Sequence, residues 1–207
     1  IEVIPVKSGR MKGKQMANKK TLVQTWEFKP LTPENWDDFE QLFGANGACA
    51  GCWCAWFLMT NKEYKEAGRD GHREEMRTLV QTGGEPGMIA YADGKPAGWI
   101  ALGPRERYRR LAASAHLGAV DDQRVWVVPC FFIHRDYRRM GLMEKLLEAA
   151  VETARSKGVK TLEAFPVEVE QHVSSTSLFP GKVEVFYRLG FQEVARRENR
   201  PILRKEL

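Results

Sequence analysis

No stretch of the 207-residue sequence is apolar for long enough to cross a membrane, and none has the apolar core of an export signal. No G-x-x-x-x-G-K-[ST] occurs, which removes a P-loop, and no G-x-G-x-x-G follows an early strand, which removes the common dinucleotide fold. Internal repeats and low-complexity tracts are absent. Cysteine is sparse, at four residues, and without an export signal these are expected as reduced thiols in a cytoplasm. A lasting excess of one charge is also missing. Residues 1–20 hold six of the 32 cations and one of the 27 anions, which leaves 26 of each sign in the remainder. The net charge of +5 therefore belongs to the tail, and a nucleic-acid surface is not expected. The tail reads as a disordered basic leader. Residues 21–207, in a chain 43% hydrophobic and 29% charged, read as one globular domain.

What is present has a clear order. Residues 21–31 alternate as a strand, and 32–47 carry a helical stripe of Trp36, Phe39, Leu42 and Phe43. Residues 61–82 look helical but broken near Gly68 and Gly71. The pair Asp93-Gly94 predicts a two-residue hairpin turn within 87–102. A long connection, 103–122, holds Arg105, Arg107, Arg109 and Arg110, read as a solvated charge run or as a phosphate contact. A strand at 125–133, a helix at 141–157, a strand at 161–165, a short helix at 181–190 and two terminal strands complete the chain. The pattern implies an α/β (α+β) fold, a mixed sheet flanked by helices.

The informative stretch is "RRMGLM", residues 138–143, where the strand passes into the best-formed helix. A helix N-terminus presents unpaired N–H groups, and glycine admits an anion close to the backbone. Arg138 and Arg139 add formal charge beside Gly141, so the turn suits a phosphate or pyrophosphate.

The surrounding string "FFIHRDYRRMGLMEKLLEAAVETARSKGVKTLEAF", followed by "VFYRLGFQEVAR", resembles the GNAT superfamily of acetyl-CoA-dependent N-acetyltransferases. Arg138, Gly141 and Met143 fall on its R/Q-x-x-G-x-G/A motif, and Phe186, Tyr187, Gly190 and Phe191 on its second. "GCWCAWF", "PRERYRRL" and "RPILR" resemble a poorly characterised bacterial subgroup of the superfamily. Two positions depart from the pattern. Met143 replaces a small residue, and Pro180 stands where an Asn is frequent, with Ser174, Ser175 or Ser177 as replacements.

The resemblance implies acetyl-CoA as the acyl-donor cosubstrate and an amine, in a small molecule or peptide, as acceptor. The pantetheine arm would enter beside the strand interrupted at Pro129, facing Phe132 and Ile133. Backbone groups of Arg139, Met140, Gly141, Leu142 and Met143 would face the pyrophosphate. It also implies Tyr187 as general acid, with Glu163 and Glu168 as candidate bases. Trp53 and Trp56 would wall the acceptor side or plug the core. Cys49, Cys52 and Cys54 invite a zinc reading, but Cys130 and the four scattered histidines supply no matching pair, so no metal is expected. A homodimer fits the pattern, while neither nucleic acid nor a membrane is an expected partner. Two other classes stay open: a non-catalytic acyl-CoA-binding protein on the same fold, and a cysteine-based metal or redox sensor.

Overall fold

The structure, a computed structural model, describes residues 23–168 and 179–207. The basic leader and Ser174, Ser175 and Ser177 lie outside the described residues. Strand β1 (Trp26–Pro30) leads to α1 (Trp36–Phe43), whose apolar stripe is buried. The helix is shorter than the pattern predicts, because Gly44 turns left-handed at its end (φ 66°). A non-helical turn follows, in which Ala48, Ala50, Trp53 and Cys54 all take positive φ. Helix α2 (Asn61–Gln81) opens on a reciprocal cap, Glu63 N to Thr60 Oγ1 and Thr60 N to Glu63 Oε2 (3.3 and 2.7 Å). It kinks at Gly68 (φ 62°), one of the two glycines at which a break is expected. Strands β2 (Gly87–Ala92) and β3 (Lys95–Ala101) form the expected hairpin, with Asp93 and Gly94 both left-handed.

The long connection contains β4 (Gly103–Pro104) and the single turn α3 (Arg109–Ala112). The strand expected over 125–133 is two strands, β5 (Trp126–Val128) and β6 (Phe131–Ile133). Pro129 lacks the N–H that a continuous ladder needs, and the chain changes sheet there. Strand β6 closes an antiparallel sheet, β1-β2-β3-β6; β5 enters a second, β4-β5-β7-β9-β8. The remaining elements are α4 (Leu142–Ser156), β7 (Thr161–Ala164), α5 (Val183–Arg188), β8 (Gln192–Arg197) and β9 (Arg200–Glu206). Among the described residues the β5–β7 ladder is parallel, as is an isolated bridge between Val167 and Lys182, and the other ladders are antiparallel. The fold is thus mixed α/β as expected, with its strands divided between two sheets at Pro129.

Two cores flank the sheets. Alternation sends Trp99 to one face, with Phe39, Phe43, Trp53 and Phe165, and Ile100 to the other, with Leu146, Leu147 and Phe186. Helix α4 lies directly on β3, where a Cβ on Gly98 would come within 2.9 Å of Leu142 Cδ2. That close approach fixes the N-terminus of α4 beside the end of β6. Among the described residues no helix is long and apolar enough to cross a membrane.

Candidate active site

The turn into α4 is open. Arg138 Nε donates to the Ile133 carbonyl (3.1 Å), which ties the turn to β6. Arg139 and Gly141 are left-handed (φ 62° and 74°), so the backbone reverses twice before the helix begins. A Cβ built on Gly141 would meet no atom within 4 Å, and Arg138, Arg139 and Gly141 are exposed. The first helical bonds run from Glu144 N and Lys145 N back to Gly141 O (3.1 and 3.3 Å), so the N–H groups of Leu142 and Met143 precede the helical ladder. Met140 is half-buried at the turn. The side chain of Met143 packs on the α4 core, so its size does not fill the turn.

The gap between the sheets adjoins this turn. Ala101 N donates to Cys130 O and His134 N to Ala97 O, which makes Phe132, paired with Trp99 between them, face β3. Of the two positions expected on the open edge, Ile133 is there and Phe132 is not; Phe131 takes its place. The Phe132 ring packs on Phe43 at 5.2 Å. The gap holds residues 179–183: Phe131 N donates to Phe179 O (2.6 Å), Val167 N to Gly181 O (2.9 Å) and Val183 N to Val167 O (3.1 Å).

Tyr187 lies on α5, which an ion pair between Arg188 and Glu144 ties to the first turn of α4 (2.9 Å). The phenol is 43% exposed, and its O–H donates to Glu193 Oε2 on β8 (3.1 Å). Burial, then the hydrogen bond to Glu193, raises the Tyr187 hydroxyl above its ordinary range. The two candidate bases part company. Glu168 is exposed and takes two hydrogen bonds from Arg196 (2.7 and 2.8 Å), which hold it below the usual carboxylate range. Glu163 is fully buried, with Arg105 on one oxygen and Arg204 Nε on the other (2.9 Å). A carboxylate enclosed by two guanidiniums has no face for a substrate proton, so Glu163 is a structural ion pair and not the base.

The arginine run is a solvated face only at Arg109. Arg105 reaches Glu163 and Leu117 O, and Arg107 reaches Glu85 O (3.0 Å). Arg109 pairs with Glu63 and Glu75 (3.2 and 3.0 Å), and Arg110 with Trp56 O and Asn61 Oδ1. Every guanidinium of the run is engaged by the protein, Arg109 alone in exposed ion pairs, which leaves the phosphate reading of that run without support.

The cysteine segment packs inward. Trp53 is 5% exposed and stacks on Phe43 (5.8 Å, 11°), while Trp56 is 40% exposed beneath the Arg110 guanidinium (3.8 Å). His72 spans Gly51 O and Tyr64 O (2.9 and 2.8 Å), tying this segment to the kinked helix. Trp99 Nε1 donates to Cys54 Sγ (3.1 Å). A hydrogen bond with Cys54, then burial, raises the Cys130 thiol well above its ordinary range, and burial pushes Cys52 up to about 11. Neither is an activated nucleophile. Two hollows open at the surface, one of them beside this segment. One, of about 420 Å³, is lined by Glu40, Trp53, Arg69, Asp70 and Arg73. The other, of about 450 Å³, lies at the end of β7, lined by His116, Val167, Glu168, Arg197, Glu198 and Arg200.

A split sheet with a helix N-terminus at the end of the diverging strand is the framework of an acyl-CoA-dependent acetyltransferase. The chain belongs to the acetyltransferase (GNAT) family, whose model matches residues 53–191. No curated protein sequence matches it. The PaiA N-acetyltransferase of Thermoplasma acidophilum, solved with coenzyme A, is 14% identical at a TM-score of 0.51, covering 89% of this chain and all (100%) of its own. A GNAT-family acetyltransferase of Listeria monocytogenes has 14% identity and a TM-score of 0.51, over 91% of this chain and 100% of its own. One from Streptococcus agalactiae has 14% and 0.52, over 90% and 98%. At that identity the likeness is one of fold.

Glu193 and Arg196 went unforeseen. Three residues apart on a regular strand they would face opposite sides, but the ladder of β8 slips between Glu193 and Ala195 and brings them together. Nothing in the string "FQEVARR" signals that bulge.

Proposed function

We propose that this chain transfers the acetyl group of acetyl-CoA to a primary amine of a small molecule or peptide, in a cytoplasm where its thiols stay reduced. The observation that carries the reading is the exposed turn at 138–143, open above Gly141 and anchored to the end of β6. In this reading the N–H groups of residues 139–143 receive the pyrophosphate, and the thioester reaches the gap beside Ile133. The amine nitrogen bonds to the thioester carbon as the C–S bond breaks. The thiolate takes the Tyr187 proton, and the proton shed by nitrogen restores the phenol through water. Glu168, kept ionised by Arg196, borders the larger hollow, where it can accept a hydrogen bond from the N–H of the neutral amine. Trp53 reaches an acceptor only through the smaller hollow, and Trp56 only at the surface.

The test is free-thiol release from acetyl-CoA across a panel of amines, with mass detection of the product amide. One amide per thiol, only when an acceptor is present, is the expected result. A second reading, an acyl-CoA-binding protein without turnover, draws on the Phe131–Phe179 hydrogen bond that occupies part of the gap. Coenzyme A binding with no thiol release from any amine would favour it.

A further inference from the structure

Four charged or polar groups form a continuous chain at the surface beside α5. The Tyr187 O–H donates to Glu193 Oε2 (3.1 Å). Arg196 grips the same carboxylate from two nitrogens, Nε to Oε1 (2.8 Å) and Nη2 to Oε2 (2.6 Å). Its guanidinium also binds Glu168 (2.7 and 2.8 Å), which lines the larger hollow. Tyr187 lies on α5 and Glu168 beyond the end of β7, 19 positions apart in the sequence, yet two residues of β8 join them.

We propose that Glu193, oriented by Arg196, is a positioning residue that fixes the Tyr187 hydroxyl at the site, from which its O–H turns to the leaving thiolate during acyl transfer. The proposal rests on the acetyltransferase reading and on Tyr187 as its general acid. The physical argument has two parts. First, a hydroxyl on an exposed phenol rotates freely unless it has a partner, and a carboxylate accepts more strongly than water. Second, ionising Tyr187 would put a phenolate against Glu193. Arg196 offsets part of that repulsion, and Glu168 adds to it from farther away. Further charges on the packed elements include Lys182 and Glu184 at the start of α5, the Arg188–Glu144 pair between α5 and α4, Lys145 on α4, Arg197 on β8 and Lys205 on β9, whose Nζ lies beside Gly190. Stability is a poor explanation for the chain, since exposed ion pairs contribute little to it. The same weakness makes substitution of Glu193 a clean test.

The sign follows. An acid must hold its proton, so activity falls as pH rises through the Tyr187 titration. Removing the Glu193 charge moves that titration to lower pH. In Glu193→Gln the tyrosine carbons, labelled with ¹³C and assigned with Tyr187→Phe, should report Tyr187 ionising at lower pH than in the wild type. The basic limb of the kcat profile should move the same way. Its plateau should fall roughly tenfold, less than the full loss of a general acid, while the acetyl-CoA KM stays within about twofold. Glu193→Asp should recover part of the plateau. An unmoved Tyr187 titration in folded Glu193→Gln overturns the proposal, as does a titration that moves while kcat and its pH profile do not. A wild type that acetylates no amine fails the acetyltransferase reading itself, and is distinguished by that silence from an active enzyme indifferent to Glu193.

Discussion

Arg204 on β9 donates its Nε to Glu163 Oε2 on the neighbouring strand β7, 2.9 Å away inside a fully buried contact. Arg105 binds the other oxygen from the long connection. One carboxylate therefore joins β7, β9 and the segment that covers them.

Glu163→Gln should lower the unfolding free energy by about 3–5 kcal/mol, because it leaves two guanidiniums buried against a neutral amide. Urea unfolding measures this. Turnover per folded molecule should stay near the wild-type value at low temperature. A variant of full stability but no turnover would return Glu163 to the list of bases.

Arg204 also binds Asp121 (2.7 and 2.9 Å), and this pair, in which only the Asp121 carboxylate is exposed, sets a pH dependence. Arg204, then the Gln123 N–H, holds the Asp121 carboxyl below the usual aspartate range. Its contribution is complete above the unfolded-state value of about 3.9 and is lost as pH falls through the lower folded value. Asp121→Asn should melt below the wild type at about pH 7, and the two melting curves should converge toward about pH 2. A constant gap at every pH would assign the loss to packing.

The parts legible in the sequence are those set by local pattern. The stripe of α4, the Asp93-Gly94 turn and the glycine of the 138–143 turn all act within one element. Pro129 could be read as a disturbance, but not as the point where one strand divides between two sheets. Glu163, Arg105 and Arg204 were illegible as a triad because their partnership exists only once three distant segments meet. An acidic residue on a strand reads equally as a surface charge, a base or half of a buried pair. Glu193 and Arg196 depend on a bulge that no residue in the strand announces. Periodicity carries faces and turns; it does not carry register slips or the burial of charge.

At Gly141 the left-handed backbone (φ 74°) and the open space above it separate two effects. Gly141→Ala should cost about 1 kcal/mol of stability through its backbone alone, with coenzyme A affinity nearly unchanged. Gly141→Glu carries the same backbone strain and adds a carboxylate at the proposed phosphate position. Calorimetric titration should find its affinity for coenzyme A more than tenfold weaker, over about 1.4 kcal/mol. Equal affinity in the two folded variants would remove the turn from the donor site.

Trp53 offers a test of whether the cysteine segment is core. The indole stacks on Phe43, lies 6.2 Å from Phe39, and carries Arg73 on its other side at 6.0 Å. Trp53→Ala should cost about 3–5 kcal/mol, as for a large buried aromatic. Trp56→Ala, which removes an exposed ring under Arg110, should cost nearer 1 kcal/mol. Gly47 supplies the sharper measurement. A Cβ there would lie 2.3 Å from Trp53 Nε1, and Gly47 is also left-handed (φ 64°). Gly47→Ala thus combines a backbone strain with a collision against the indole. Only the collision disappears when Trp53 is already alanine. The double variant should therefore be more stable than the sum of the two single losses, by about 1 kcal/mol or more. Urea unfolding of the four proteins in the cycle measures that coupling. Strict additivity would mean that the indole moves freely away from Gly47, and that the segment is not locked into the core beside α1.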